Sequence, residues 1–444
     1  MPIDLAARGG GGELRIGHRT RTAQAAPPAR RQTWLDALRG LAVLAVLFEH
    51  LLDPLFPEVR SGASPWFDFG QYGVMLFFII SGYVVPASLE RRGSVTGFWI
   101  GRVFRIYPLW LVAAAIGTAF ALVPVYAELP AQLGEHPVLA GLAHVTMLQD
   151  FLQVVSVVNV FWTLSYEMVF YLLVTAIFVI GARRVRTTGV LAVAVAGVLV
   201  GGLLPAGALS RAFGSDVVVL VVTGVMVAGL AAVVAGAHRV RLCGAATVAA
   251  MAVVLLVVNS RIGAWQSVAV VATMFAGTAL YRLDQGQVRR GVAGWVIGLV
   301  PVVSVGAAAW FGPGWSMAHQ QAVAFRWSWS TAVAAAWLTF LIGRRLRSSA
   351  WPALIVRLGL ISYSVYLLHP LLIQVLRRSI PDPVPVPLGW RITWFWVLLA
   401  AVVACAVVSH RFIELPGQGV GRRLARSDRL RRLRSVVPGG RTRP

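Results

Sequence analysis

The stretch Leu35-Asp-Ala-Leu-Arg39-Gly-Leu-Ala-Val-Leu-Ala-Val-Leu-Phe-Glu49-His50 places charged and titratable side chains within the apolar run of a membrane-length helix. Such side chains are costly inside a bilayer and usually mark a functional site. His50 lies eleven residues after Arg39, which is about three helical turns and roughly 16 Å of rise. At about 100° per residue, both lie on nearly the same face, with Asp36 within about 40° of it. The stretch therefore predicts one helix face with a cation at one end and a candidate general base at the other.

Apolar runs of membrane-spanning length recur along the whole chain. Apolar residues make up 58% of the 444 residues and charged residues 13%, and the mean hydropathy is +0.74. Spanning helices need about 20 apolar residues each, whereas a membrane barrel needs short alternating segments, which are not seen. The sequence predicts an all-α, polytopic membrane helix bundle with ten to twelve transmembrane helices. The candidate spans are 35–52, 70–89, 104–123, 161–182, 188–206, 216–237, 244–259, 264–281, 291–311, 327–343, 354–377 and 392–411.

The basic residues, all arginine, indicate the orientation in the membrane. The net charge of +23 invites a nucleic-acid interpretation, but the arginines lie in loops and tails between apolar runs, as in a positive-inside membrane protein. With both termini in the cytoplasm, 33 arginines fall on the cytoplasmic side and seven on the outer side. We therefore expect both termini to be cytoplasmic, the lipid bilayer to be a partner and nucleic acid not to be one.

The chain divides into three predicted segments. Residues 1–33 are rich in Arg, Gly and Pro and are expected to form a disordered basic cytoplasmic arm. Residues 34–416 form the transmembrane domain, and residues 417–444 form an Arg-rich cytoplasmic tail. Within the domain, 138–158 is moderately apolar yet carries His144, Gln149 and Asp150. It is interpreted as an outer re-entrant or interfacial segment.

Further polar residues at membrane depth each have a structural and a functional interpretation. Ser81, next to Gly82 in the second span, either packs closely against a neighbouring helix or lines a cavity. Arg102 and Arg105 share a helix face at the start of the third span. They either clamp phosphates or form a plain positive flank. Glu167 lies within the fourth span and either forms a buried pair or has a function.

The histidines provide one more candidate. His369 precedes Pro370 in the eleventh span, where it either packs at a helix kink or lines a cavity. The eight histidines of the chain show no spacing typical of metal ligands. No metal site is predicted.

Together these motifs resemble the membrane acyltransferase 3 family of integral-membrane O-acyltransferases, over about residues 35–416. The motifs are Leu35-Asp-x-Leu-Arg-Gly with His50, Phe77-Phe-x-x-Ser-Gly-Tyr83, Arg102-x-x-Arg-Ile-Tyr-Pro108, Trp162-Thr-Leu-Ser-x-Glu167 with Phe170-Tyr171, Ser362-Tyr-Ser-x-Tyr-Leu-x-His-Pro370 and Phe412-Ile-Glu414. The chain departs from the family pattern at Glu49, inserted before the histidine, and at Met168, where a second glutamate is usual. The family core has about ten spans.

The resemblance implies acyl-CoA as co-substrate with no tightly bound cofactor. It also implies that the transferred group is acetyl or a short branched acyl group, and that the protein lies in the bacterial plasma membrane. Arg39, Arg102 and Arg105 would hold the phosphates of the donor. His50 would act as general base, with Glu167 as the carboxylate that orients it. An acyl-histidine relay is the competing mechanism. Asp36, Ser81, Ser165, Tyr171 and His369 are expected to support the site.

The acceptor is expected to enter from the outer side, through 53–69 and 124–160. It would be a sugar or hydroxyl of an envelope glycan, a glycolipid or a secondary metabolite. Aromatic side chains in or beside these segments suit sugar rings, although they also suit an interfacial belt: Trp66, Phe67, Phe69, Tyr72, Tyr126 and Trp162. The alternative function is a multi-pass transporter or flippase without acyl-transfer chemistry, which would leave the stripe of Arg39 and His50 without a role.

Overall fold

The computed structural model describes residues 32–123, 131–181, 187–313, 319–379 and 386–436. The chain from Thr33 onward forms one compact unit. The predicted arm lies almost entirely outside the described residues, although Thr33 already begins the first helix. The predicted tail is described as far as residue 436, where it is helical.

The described residues form helices and connecting turns, with no strand among them. The α-helices are α1 Thr33–Leu55, α2 Pro57–Ala63, α3 Phe69–Arg92, α4 Val95–Leu122, α5 Ala131–Glu135, α6 Pro137–Val145, α7 Trp162–Ile180, α8 Thr187–Gly201, α9 Ala208–Phe213, α10 Ser215–Ala235, α11 His238–Val258, α12 Ala264–Asp284, α13 Arg290–Phe311, α14 His319–Arg345, α15 Ala353–Leu360, α16 Ser362–Ser379, α17 Leu388–Ser409 and α18 Leu415–Val436. A 3-10 turn, Asn159–Phe161, precedes α7, and a π-helical turn, His410–Glu414, joins α17 to α18.

Every predicted span falls on a helix, but fewer helices meet a simple criterion for crossing a membrane. Among the described residues, eight helices are long and apolar enough, or up to nine if the bent pair α15 and α16 is one span. The eleventh predicted span is this pair, bent by 72°. Helix α1 is not among the eight, and it carries Asp36, Arg39, Glu49 and Asp53. The chain is therefore a multi-pass helical membrane protein, and the predicted count of ten to twelve is not confirmed.

Helix α12 runs through the centre of the bundle, and every residue from Ala264 to Tyr281 is buried. It packs against α3 at two glycines that leave room for the neighbouring backbone. A Cβ at Gly82 would lie 1.8 Å from the carbonyl oxygen of Met274, and one at Gly277 would lie 2.4 Å from that of Ile79. Small residues allow this close approach between helices in a membrane protein. Of the pair Ser81-Gly82, the glycine therefore serves close helix packing.

Helix α1, which carries Arg39 and His50, is held in place by glycine contacts of the same kind. A Cβ at Gly40 would lie 2.1 Å from the Ile355 carbonyl oxygen, and one at Gly359 would lie 1.7 Å from that of Asp36. Helices α1 and α15 therefore touch backbone to backbone. This contact sets the rotation of α1 and the direction of its polar face.

The predicted re-entrant segment contains α6 and an irregular stretch, residues 146–158, several of whose polar groups find partners inside the protein. Asn259 donates to the Phe151 carbonyl oxygen at 2.7 Å, and the Gln153 side chain donates to the Asn259 carbonyl oxygen at 2.9 Å. Gln149 donates to the Phe161 carbonyl oxygen at 3.0 Å. Non-helical backbone at membrane depth is tolerated only where protein or water satisfies it, so this segment needs its partners.

We expect Gly82→Ala to destabilise the bundle, because its methyl group would collide with the Met274 backbone. Overpacking of this kind costs about 1–3 kcal/mol or more. Gly224→Ala on α10 is the matched control, since no atom lies within 4 Å of the added Cβ. The measurement is the thermal unfolding midpoint and monodisperse yield in detergent. Equal midpoints for the two variants would contradict the packing.

The irregular stretch is also expected to depend on pH through His144. Its Nδ1–H donates to the Ala140 carbonyl oxygen at 2.8 Å, and its Nε2 accepts from the Val157 N–H at 3.2 Å. Only the neutral ring makes both bonds, and burial lowers the pKa of His144.

Because the unfolded chain then binds the proton more readily, stability is full above about pH 6.5 and falls as the pH drops below it. Thermal midpoints at pH 7.5 and 5.5 should differ more in wild type than in His144→Gln. This comparison cancels the other titrating groups. An unchanged difference in the variant would refute the assignment.

Candidate functional site

Helices α1, α3, α4, α7 and α16 line an open cavity of about 110 Å³, here called the arginine cavity. It brings together the three arginines and three further residues predicted from the sequence. These residues are Arg39, Arg102, Arg105, Ser81, Glu167 and Tyr171. The remaining wall is largely apolar or aromatic, with Phe77, Phe78, Tyr363 and Tyr366 among its members.

The arginine cavity carries an excess of positive charge. Arg39 is paired with Asp36 at 3.1 Å and is repelled by the guanidinium groups of Arg105 and Arg102. The Arg102 guanidinium lies 5.5 Å from the centre of the Tyr171 ring, a cation–π contact that holds it in place. Arg105 is exposed. Three guanidinium groups against two carboxylates, Asp36 and Glu167, leave a net positive charge that suits an anion such as a phosphate group.

His50 lies beside His369, with ring centres 4.8 Å apart and an angle of 75° between the rings. The Nδ1–H of His50 donates to the Val46 carbonyl oxygen at 2.8 Å, and that of His369 donates to the Val365 carbonyl oxygen at 3.1 Å. A carbonyl oxygen can only accept, so in each neutral ring Nε2 carries the lone pair. The Nε2 of His369 is buried and has no hydrogen-bond partner among the described residues.

The expected contact between Glu167 and His50 is replaced by other partners. Tyr171 donates to Glu167 Oε1 at 2.5 Å, one helical turn away on α7, and Glu167 faces the arginine cavity. The partner of the His50 ring nitrogen is a backbone carbonyl of its own helix. The described hydrogen bonds thus do not join Glu167 to His50, and the orienting role of Glu167 stays a prediction.

The other predicted supporting residues are divided between the cavity and its surroundings. Asp36 holds Arg39, and Ser81 and Tyr171 line the arginine cavity. Ser165 is fully buried, and its Oγ accepts from the Asp150 N–H at 3.4 Å. It therefore fastens the irregular stretch 146–158 to α7 and does not line the arginine cavity.

Sequence reasoning passed over Tyr366, which connects the arginine cavity to the histidines. Its ring lines the cavity and its ring centre lies 6.0 Å from that of His369. Its hydroxyl accepts from Thr163 Oγ1 at 3.0 Å and donates to the Val160 carbonyl oxygen. The motif Ser362-Tyr-Ser-x-Tyr-Leu-x-His carried the signal, because Tyr366 precedes His369 by about one helical turn.

Glu49, the departure from the family pattern, is neutralised where α1 nears its end. Arg60 binds its carboxylate at 2.6 Å, and Glu49 also accepts from the Phe69 N–H at 3.2 Å. Nearby, Arg377 pairs with Asp53 at 2.9 Å. Two arginines that were assigned to the outer side are thus paired with carboxylates on the same end of α1 as His50.

The comparison with protein families gives one match across most of the chain. A family model described as an acyltransferase domain matches residues 32–410. This match confirms the resemblance to the acyltransferase 3 family. No solved structure matches the chain.

Individual relatives match shorter stretches. The acyltransferase MdmB of Streptomyces mycarofaciens is 32% identical over 154 residues, 33% of this chain and 39% of that protein. Nodulation protein 10 of Rhizobium leguminosarum bv. viciae is 29% identical over 182 residues, 36% of this chain and 48% of that protein. A protein of Staphylococcus aureus (strain COL) with the provisional name of O-acetyltransferase is 35% identical over 95 residues, 20% of this chain and 14% of that protein. The matches span less than half the length of each relative.

Proposed function

Because the chain belongs to the acyltransferase domain family, we propose that it is an integral-membrane O-acyltransferase that uses acyl-CoA. It moves a short acyl group, acetyl in the simplest case, to a hydroxyl of a sugar-containing acceptor. The observation that carries this proposal is the arginine cavity, where three arginines from two helices converge. Tyr366 links this cavity to the pair His50 and His369.

The donor would bind by its phosphates to Arg39, Arg102 and Arg105, the charged part of the arginine cavity. The pantetheine arm would then extend along α1 toward His50, which lies roughly 16 Å further along the helix axis. In a bacterial plasma membrane with both termini in the cytoplasm, the arginines face the compartment that supplies acyl-CoA. The carboxylates on Arg60 and Arg377 support this orientation, because they neutralise positive charge on the opposite side.

The histidine would take the acceptor proton. The acceptor oxygen attacks the thioester carbonyl carbon, a C–O bond forms and the C–S bond breaks. The hydroxyl proton passes to Nε2 of His50 and then to the departing sulfur, which leaves an ester and free CoA. The contact of Nδ1–H with Val46 supports this role, because it fixes the ring with the basic nitrogen free. In the competing relay, Nε2 itself attacks the thioester first.

Replacing an arginine should weaken donor binding. We expect Arg39→Gln to raise the KM for acetyl-CoA about tenfold or more, since a charge-assisted phosphate contact is lost. Arg345→Gln is the matched control, because Arg345 is exposed and lines no described cavity. The measurement is binding of a non-hydrolysable thioether analogue of acetyl-CoA, together with label transfer from acetyl-CoA in membranes. If both variants bound the analogue with equal affinity, the assignment of Arg39 to the phosphate site would be contradicted.

Replacing the histidine should impair chemistry and spare binding. His50→Gln is expected to lower kcat by about 10²–10⁴-fold, with unchanged affinity for the donor analogue, while the exposed His238→Gln keeps full activity. Label that stays on the wild-type protein without acceptor, and not on His50→Gln, would identify the relay. Absence of both transfer and analogue binding in the wild type would favour a transporter.

A further inference from the structure

A second cavity, the polar cavity, opens where α3, α7 and α12 begin. It has a volume of about 330 Å³, within the range of small-molecule sites. Its polar groups include two carboxylates and three side-chain amides, and its apolar groups include aromatic rings. They are Asp68, Asp150, Gln71, Asn159, Gln266 and the rings of Trp162 and Trp329. Carboxylates and amides offer many acceptors and donors to hydroxyl groups, and flat rings suit the C–H faces of a sugar.

Asp150 supplies an unsatisfied acceptor in this cavity. Its side chain is 4% exposed, with Oδ1 3.6 Å from Arg261, while Oδ2 has no hydrogen-bond partner among the described residues. Burial raises the pKa of Asp150 to about 6, so the carboxylate is ionised at neutral pH. A buried acceptor without a donor is costly. A ligand hydroxyl would remove that cost.

A third cavity, the apolar groove, adjoins the polar cavity and has a volume of about 730 Å³. The two share Arg261, Ile262, Gln266 and Phe325. The rest of the groove is mainly the turn 201–206 with Trp265 and Phe311. Leu203 and Leu204 in that turn are exposed, so the apolar groove is open at the surface of the bundle.

A continuous aromatic cluster joins the two spaces. Phe325 stacks on Trp329 at 5.8 Å, and Trp265 meets Trp329 edge-on at 5.3 Å. Trp329 lines the polar cavity and is fixed by donating to Ser304 Oγ, whereas Trp265 lines the apolar groove. One molecule with a hydroxylated part and an apolar part would contact the cluster along its length.

The polar cavity also lies at the His50 end of the bundle. Asp68 caps α3 by accepting from the Gln71 N–H at 2.6 Å, and the next residue, Phe69, donates to Glu49, the neighbour of His50. Across the cavity, Trp162 precedes Thr163, which lines the arginine cavity. The start of α7 thus lines both the proposed donor space and the polar cavity.

We propose that the acceptor is an amphipathic glycoside, whose sugar occupies the polar cavity and whose apolar body occupies the apolar groove. This inference rests on the proposed function and narrows its acceptor. A membrane glycolipid and a small glycoside with an apolar aglycone share this chemistry. The exposed turn 201–206 leaves the apolar groove open to either one.

The test is hydrogen–deuterium exchange of the protein in nanodiscs, with no acyl-CoA present. The probes are octyl glycosides of glucose, galactose and mannose below their micelle concentration, and monoglucosyl diacylglycerol placed in the nanodisc. Free hexoses and diacylglycerol are the controls for each half. At least one amphipathic glycoside should protect both 146–158 and 201–207, and each half alone should protect less. Protection by monoglucosyl diacylglycerol alone would identify a lipid, and protection by octyl glycosides alone a small glycoside.

Variants separate the two halves of the site. Asp150→Asn should lower the affinity for every sugar-bearing probe roughly tenfold. Leu204→Ser should lower the affinity for the amphipathic probes severalfold and leave the affinity for free hexoses unchanged. Leu220→Ser, exposed on α10 and outside both cavities, is the matched control.

The outcomes distinguish this inference from the proposed function. Protection of both segments without any acetyl transfer would support the binding of amphipathic glycosides at this site and contradict the acyltransferase proposal. Acetyl transfer to free hexoses as good as to octyl glycosides, without protection of 201–207, would overturn the amphipathic site and keep the enzyme. Absence of protection by every probe would also overturn it.

Discussion

The structure depends on one constraint, which is that α1 carries charge and is nevertheless buried. Charged side chains in a low-dielectric interior must be paired, or they cost more than the bundle can supply. Each end of α1 meets this requirement differently. Asp36 pairs with Arg39 along the helix, and Glu49 pairs with Arg60 beyond it. The glycine contacts of α1 with α15 then keep the helix from rotating its charges toward lipid.

The grouping of the arginines could be predicted from the sequence, because helical spacing and the positive-inside pattern both act locally. Arg102 and Arg105 share a face by their spacing, and Arg39 opens a span on the same side. Their convergence at one cavity follows from this shared side, whereas Glu167, which was expected beside His50, also lines that cavity. The positions of the helices could also be predicted, because each apolar run is long enough to form a helix.

The pairing of side chains across helices could not be predicted in the same way. Whether Glu167 contacts His50 depends on the rotation and depth of α7. Because α7 is buried on most sides, its apolar residues show no periodicity from which the rotation could be predicted. In the structure, Glu167 accepts a hydrogen bond from Tyr171, and the His50 ring packs against the His369 ring. The bend at residue 361 was hidden for a related reason, because residues 354–377 read as one apolar run and the break has no proline at its centre.

The partners of the irregular stretch 146–158 have a consequence for biosynthesis. Phe151 and Gln153 are held by Asn259, more than a hundred residues later in the chain. Helices α7 to α11 must therefore be made before this stretch can be seated, and the closing of so long a loop delays the contact. Until then the Phe151 carbonyl oxygen lacks the donor that it has in the folded protein. The wall of the polar cavity is thus among the last parts of the molecule to be completed, although half of it emerges early from the ribosome.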